Sequence, residues 1–82
     1  MTIVEQIMID YPEETFYVIY GFDDAIIGFD ESYRRLVYDI DKVIDILVLD
    51  GMTYDDAVKF YDFEILDAYF GEGTPIFVKN YT

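Results

Sequence analysis

The chain has 82 residues, with 18 acidic side chains against 5 basic ones and a formal charge of -13. A protein that holds nucleic acid by neutralising phosphates needs the opposite field, and an anionic membrane repels this one, so neither direct nucleic-acid binding nor membrane adsorption is expected. Two separate cores would each be too small to offset chain entropy, which predicts one domain over residues 1–82.

The acidity does not imply disorder. Hydrophobic residues make up 54% of the chain, and nine tyrosines and seven phenylalanines give it more aromatic surface than a small core absorbs, which predicts an interface. Cysteine, histidine and tryptophan are absent. Without Cys and His there is no disulfide framework, no thiolate and no near-neutral base, and the usual zinc geometries are out of reach. The start, Met1 to Glu5, lacks a positive region, and no apolar run approaches the roughly 20 residues that span a bilayer, so a cytoplasmic protein is expected.

In chain order, Ile3–Ile9 reads as a short helix capped by Thr2, with Glu5 placed for a capping box and Pro12 beyond its end. Phe16–Tyr20, aromatic and β-branched, reads as a strand closed by the turn 21–24. Ala25–Phe29 and Arg34–Tyr38 read as two more strands, joined through 30–33 into an antiparallel meander. The period then changes. Asp39 or Asp41 caps a helix to about Leu49, with Ile40, Val43, Ile44, Leu47 and Val48 as its apolar face, and Asp50-Gly51 stops it. Thr53 caps a second helix from Tyr54 to about Tyr69, whose core face is Ala57, Val58, Tyr61, Ile65, Ala68 and Tyr69 and whose polar side includes an Asp55–Lys59 pair. Gly71 and Gly73 end it, Pro75 blocks resumption and Ile76–Val78 is a terminal strand. At least one glycine in each loop, Gly51 in one and Gly71 or Gly73 in the other, is expected at positive φ. The fold class is α+β: a small antiparallel sheet with a helical hairpin packed on one face.

Four stretches carry a resemblance: Ile27-Gly28-Phe29-Asp30, Arg35-Leu36-Val37-Tyr38, Asp50-Gly51-Met52-Thr53 with Ala57, and Ala68-Tyr69-Phe70-Gly71-Glu72-Gly73-Thr74-Pro75-Ile76. Together they resemble a family of small acidic proteins of bacteriophages and their bacterial hosts, to which no activity is attached. The Gly-Glu-Gly-Thr-Pro segment is the most distinctive part. The resemblance implies phage or prophage origin and a host-cytoplasm setting, and carries over no catalytic residue.

Several local patterns have simpler readings than chemistry. Gly71-Glu72-Gly73-Thr74 lacks the Gly-Lys-Ser/Thr of a phosphate loop, follows a helix instead of opening one, and places in Glu72 a carboxylate that would repel phosphate. Asp39, Asp41 and Asp45 offer cation oxygens, but an EF-hand counted from Asp39 has Ile44 where glycine is needed and Asp50 where glutamate is. The acidic pairs Asp23-Asp24, Asp30-Glu31 and Asp55-Asp56 sit where turns or caps want them. Arg34 and Arg35 either decorate a hairpin and soften repulsion from Asp30 and Glu31, or one of them makes a bidentate contact with a carboxylate. No catalytic, cofactor or metal residue is assigned, and no enzyme is expected.

Phe60, Phe63 and Leu66 fit neither face of the second helix, so they form an aromatic patch framed by carboxylates unless Ile3, Ile7 and Met8 cover it. Carboxylates four apart on a helix rise by about 6 Å, near the spacing of phosphates along one strand. The expected partner-binding set is Asp41, Asp45, Asp55, Asp56, Asp62, Phe60, Phe63 and Leu66. Its expected role is to engage a basic host protein by nucleic-acid mimicry, inhibiting or modulating it; the alternative is a homo-oligomeric structural or adaptor domain, most simply a dimer.

Overall fold

A computed structural model describes residues 2–68, 71 and 73–81. The elements are α1 (Ile3–Asp10), a 3-10 turn (Asp23–Ala25), β1 (Ile26–Asp30), β2 (Arg35–Asp39), α2 (Ile40–Leu49), α3 (Tyr54–Phe60), a π-helical segment (Tyr61–Leu66) and β3 (Ile76–Val78). The fold is α+β, a three-stranded sheet with a joined helical pair.

The strand order is β1-β2-β3. β1 and β2 form the antiparallel hairpin, from Asp30 opposite Arg35 to Ile26 opposite Tyr38, with a bulge between Ile26 and Gly28. β3 joins β2 in parallel, Val37 opposite Ile76 and Asp39 opposite Val78, a pairing the antiparallel expectation did not contain. Its cause is the connection: parallel neighbours need a long crossover, and here α2 and α3 supply it.

Phe16–Tyr20 is not a strand. Phe16, Ile19 and Phe22 are half-buried while Tyr17, Val18 and Tyr20 are exposed, so the inward positions recur every third residue and do not alternate as a ladder requires. Side chains replace the ladder. The Ile19 N–H donates to the Tyr38 hydroxyl at 2.9 Å, and the Phe16 ring meets Phe29 edge-on at 5.4 Å. Strand propensity of such residues reflects packing more than backbone preference, and here packing took them elsewhere.

The α1 cap is as expected, the Thr2 hydroxyl accepting from the Glu5 N–H, and Val4 and Ile7 turn inward against β1. Asp39 is the cap of α2. It is buried, and one carboxylate oxygen accepts the N–H groups of Asp41 at 2.9 Å and Lys42 at 3.3 Å. Asp39→Ala should therefore cost about 1–2 kcal/mol and Asp39→Asn much less, as chemical denaturation would read. α2 buries Val43, Ile44 and Leu47, leaves Ile40 half-buried and leaves Val48 exposed at the margin of that face.

α3 departs from the expected continuous helix, which also included Tyr69, outside the described residues. Ala57, Tyr61 and Ile65 are buried at steps of four residues, more than one α-turn. The wider turn over 61–66 keeps Tyr61 and Ile65 in line with the core, where an α-helix would drift off it. Val58 and Ala68 are only half-buried, and no Asp55–Lys59 ion pair forms. Gly51, Gly71 and Gly73 have φ of 114°, 98° and 87°, as the loop chemistry predicted.

Tyr61 packs edge-on to Phe77 at 5.4 Å, yet its buried hydroxyl has no hydrogen-bond partner among the described residues. Burial, with a smaller contribution from Asp62, pushes its pKa up to about 12. An unfolded tyrosine ionises near pH 10, so between pH 10 and 12 the unfolded chain releases a proton that the folded one keeps, and stability falls as pH rises. Tyr61→Phe keeps the ring and removes the orphan. It should be neutral or stabilising by about 1 kcal/mol near pH 7, and should show a shallower loss of thermal midpoint from pH 9 to 11.5.

Candidate functional site

The helical pair sets the candidate surface. α2 and α3 pack against one another through their buried faces, which leaves the carboxylates of the opposite sides in water. Asp41, Asp45, Asp55, Asp56 and Asp62 are all exposed. They are not equivalent. Asp41 accepts from the Lys79 ammonium at 3.0 Å, tying the start of α2 to the chain beyond β3. That hydrogen bond and the Asp41 charge hold the Lys79 pKa above its usual value. Asp55 and Asp56 lie in the first turn of α3, where Thr53 caps the Asp56 N–H at 3.2 Å, so they also balance the helix dipole. Among the described residues, the side chains of Asp45 and Asp62 make no hydrogen bond or ion pair.

The aromatic patch stays open. Phe63 is 74% exposed, Leu66 48% and Phe60 38%. The alternative, cover by the first helix, does not form, because α1 spends Val4 and Ile7 on the sheet, and Ile3 and Met8 remain about as exposed as Leu66. Phe60, Phe63 and Leu66 follow one another at three-residue steps, interspersed with Lys59, Asp62, Glu64 and Asp67. The surface can make charge-assisted hydrogen bonds to arginine and lysine and offer an apolar anchor among them.

Two of the carboxylates read as cation or acid-base candidates, Asp39 and Asp30, are occupied locally. Asp39 is spent on its cap. Asp30 accepts from Arg35 Nε at 2.9 Å and from the Ser32 N–H at 3.1 Å, and the Arg35 hydrogen bond is the main cause that holds its carboxyl below the ordinary range. No group of three or more Asp or Glu side chains among the described residues is arranged to hold a metal ion. No helix among them is long and apolar enough to cross a membrane.

Sequence reasoning passed over a cleft of about 590 Å³ on a different part of the molecule. Its walls come from the segment after α1, the β1–β2 turn and the residues Gly71, Gly73 and Thr74, and include both arginines of the chain with Glu13 and Glu14. Arg34 reaches Glu14 at 3.0 Å, a pairing across twenty residues that adjacency to Asp30 and Glu31 did not suggest. The one available signal was the Arg34-Arg35 pair, the only adjacent bases in an acidic chain.

No known protein family, curated protein or solved structure matches the chain.

Proposed function

We propose that the chain is a phage or prophage binding protein that inhibits or modulates a basic host protein in the cytoplasm, without catalysis, by presenting carboxylates where that protein expects phosphates. The observation that carries the reading is the exposure of Asp45, Asp55, Asp56, Asp62 and Phe63 along a packed helical pair, in a chain of charge -13. A rigid acidic surface attracts a basic groove over long range, and a desolvated aromatic slows its release. The test is retention of host-lysate proteins on the immobilised chain at low and moderate salt. A retained nucleic-acid-binding protein that elutes as salt rises supports the reading; retention only of acidic proteins, unmoved by salt, counts against it.

The 74% exposure of Phe63 supports a second reading, a homodimer that buries the patch across a two-fold axis. Sedimentation over a hundredfold concentration range separates the two. Dimerisation strengthened by salt, as repulsion between two chains of -13 is screened, favours the second.

A further inference from the structure

We infer that the groove between the end of α1 and the segment 14–18 is a binding site for a small organic cation, a protonated amine on an apolar body, distinct from the helical surface. The groove has a volume of about 260 Å³, and its walls include Met8, Tyr11, Pro12, Phe16 and Val18. Glu14 and Thr15 close it on the side of the arginine cleft. All of its lining lies within the described residues.

Two of the walls are aromatic and fixed. The Tyr11 ring lies 4.6 Å from that of Phe29, and the Phe16 ring meets Phe29 edge-on at 5.4 Å, so a residue of β1 sets the positions of both. Beside them Met8 and Val18 stay 49% and 40% exposed, apolar surface that the fold leaves in water. A thioether and two electron-rich rings make a polarizable lining, and aromatic rings of this kind attract cations.

The charge around the groove selects the sign of the ligand. Asp10, Glu13 and Glu14 belong to the segment that walls it, and Glu31 accepts the Tyr11 hydroxyl at 3.3 Å. Arg34 answers only Glu14, at 3.0 Å, and Arg35 is taken by Asp30. Asp10, Glu13 and Glu31 form no ion pair with a basic residue among the described residues. Their field reaches the lining: burial first, then the charge and hydrogen bond of Glu31 and the charge of Asp10, hold the Tyr11 phenol above its usual pKa. Such a field repels a carboxylate and favours an ammonium. Size then separates a small molecule from a protein partner. A volume of about 260 Å³ lies below the usual range for drug-sized ligands and has room for one compact body, too little for a docked helix or strand.

The test is amide chemical-shift titration of the intact chain with 3-phenylpropylamine, which is protonated at pH 7 as a lysine amine is, and with 3-phenylpropanol, 3-phenylpropionate and propylamine at matched ionic strength. Phenylpropylamine should shift the amides of Met8, Thr15, Phe16 and Val18 and bind about tenfold tighter than propylamine, the gain expected from burying part of its ring. It should also bind several-fold tighter than the alcohol, with the carboxylate weakest. Glu31→Gln keeps an acceptor for the Tyr11 hydroxyl and removes the charge, so it should weaken the amine several-fold and leave the alcohol unchanged. Val18→Arg puts a resident cation at an exposed position of the rim and should abolish the shifts while the rest of the amide spectrum stays folded. Shifts spread over α2 and α3 without a set confined to the groove, equal binding of the alcohol or the carboxylate, undiminished amine binding by Glu31→Gln, or full binding by folded Val18→Arg would each overturn the assignment. So would movement of the same amides with protein concentration alone, which would put a second copy of the chain in the groove.

Discussion

Replacing Tyr38 by alanine should cost about 3–5 kcal/mol, enough to leave most of the chain unfolded at 37 °C if total stability is near the low end for a domain of this size. Tyr38 is fully buried in the central strand, opposite Ile26 on one side and Phe77 on the other. Its ring lies 5.6 Å from that of Phe77, which in turn meets Tyr61. Its hydroxyl accepts the Ile19 N–H and so pins the segment that fails to become a strand. One side chain thus joins β2, β3, the π-helical segment and the approach to β1. Tyr38→Phe separates the two roles: it keeps the ring and should cost only about 1 kcal/mol, with faster amide exchange around Ile19 as its local signature. Denaturant unfolding of both variants checks the prediction; a loss below 2 kcal/mol for the alanine variant would place the centre of the core elsewhere.

Neutralising Asp45, Asp55 and Asp62 together as asparagine should slow association with a basic partner by about tenfold to a hundredfold at low salt, while the midpoint of unfolding moves little. All three side chains are exposed, and none takes part in the ion pairs that join Glu14, Asp30 and Asp41 to basic residues. Asp55 alone carries a helix-end contribution, of the order of 0.5 kcal/mol. Asp41 is left out because Lys79 already balances it. Phe63→Ala provides the contrast. A 74% exposed ring contributes little to the fold, so its loss should leave stability and association nearly unchanged and accelerate dissociation. Stopped-flow rates for wild type and both variants would show this division.

Elements whose local chemistry agrees with the global fold were legible from the sequence. The Thr2, Asp39 and Thr53 caps, the 26–39 hairpin and the left-handed glycines after α2 and after the third helix all follow from short-range rules. What was not legible depends on distant partners. Nothing within Phe16–Tyr20 announces that a tyrosine nineteen residues on will accept the Ile19 N–H and remove the need for a ladder. The parallel seating of β3 depends on where a 36-residue crossover lands, since β2 ends at Asp39 and β3 begins at Ile76. Similarly, the π-helical turn arises from keeping Tyr61 on Phe77, a contact across sixteen residues. The exposure of the acidic and aromatic positions on α2 and α3 could be read from periodicity; the Arg34–Glu14 contact that shapes the cleft could not, because it joins a hairpin turn to the segment after α1.

Mimicry makes a claim stronger than attraction: the acidic surface and a nucleic acid must occupy the same groove. The most direct measurement is an equilibrium competition in which a basic host protein retained by the chain is titrated with the chain in the presence of rising concentrations of duplex DNA. Mutual exclusion is the predicted result, with the apparent dissociation constant of the chain rising in proportion to DNA concentration and no species containing all three components. A stable ternary complex of chain, partner and DNA, with the affinity of the chain unchanged by saturating DNA, would contradict it.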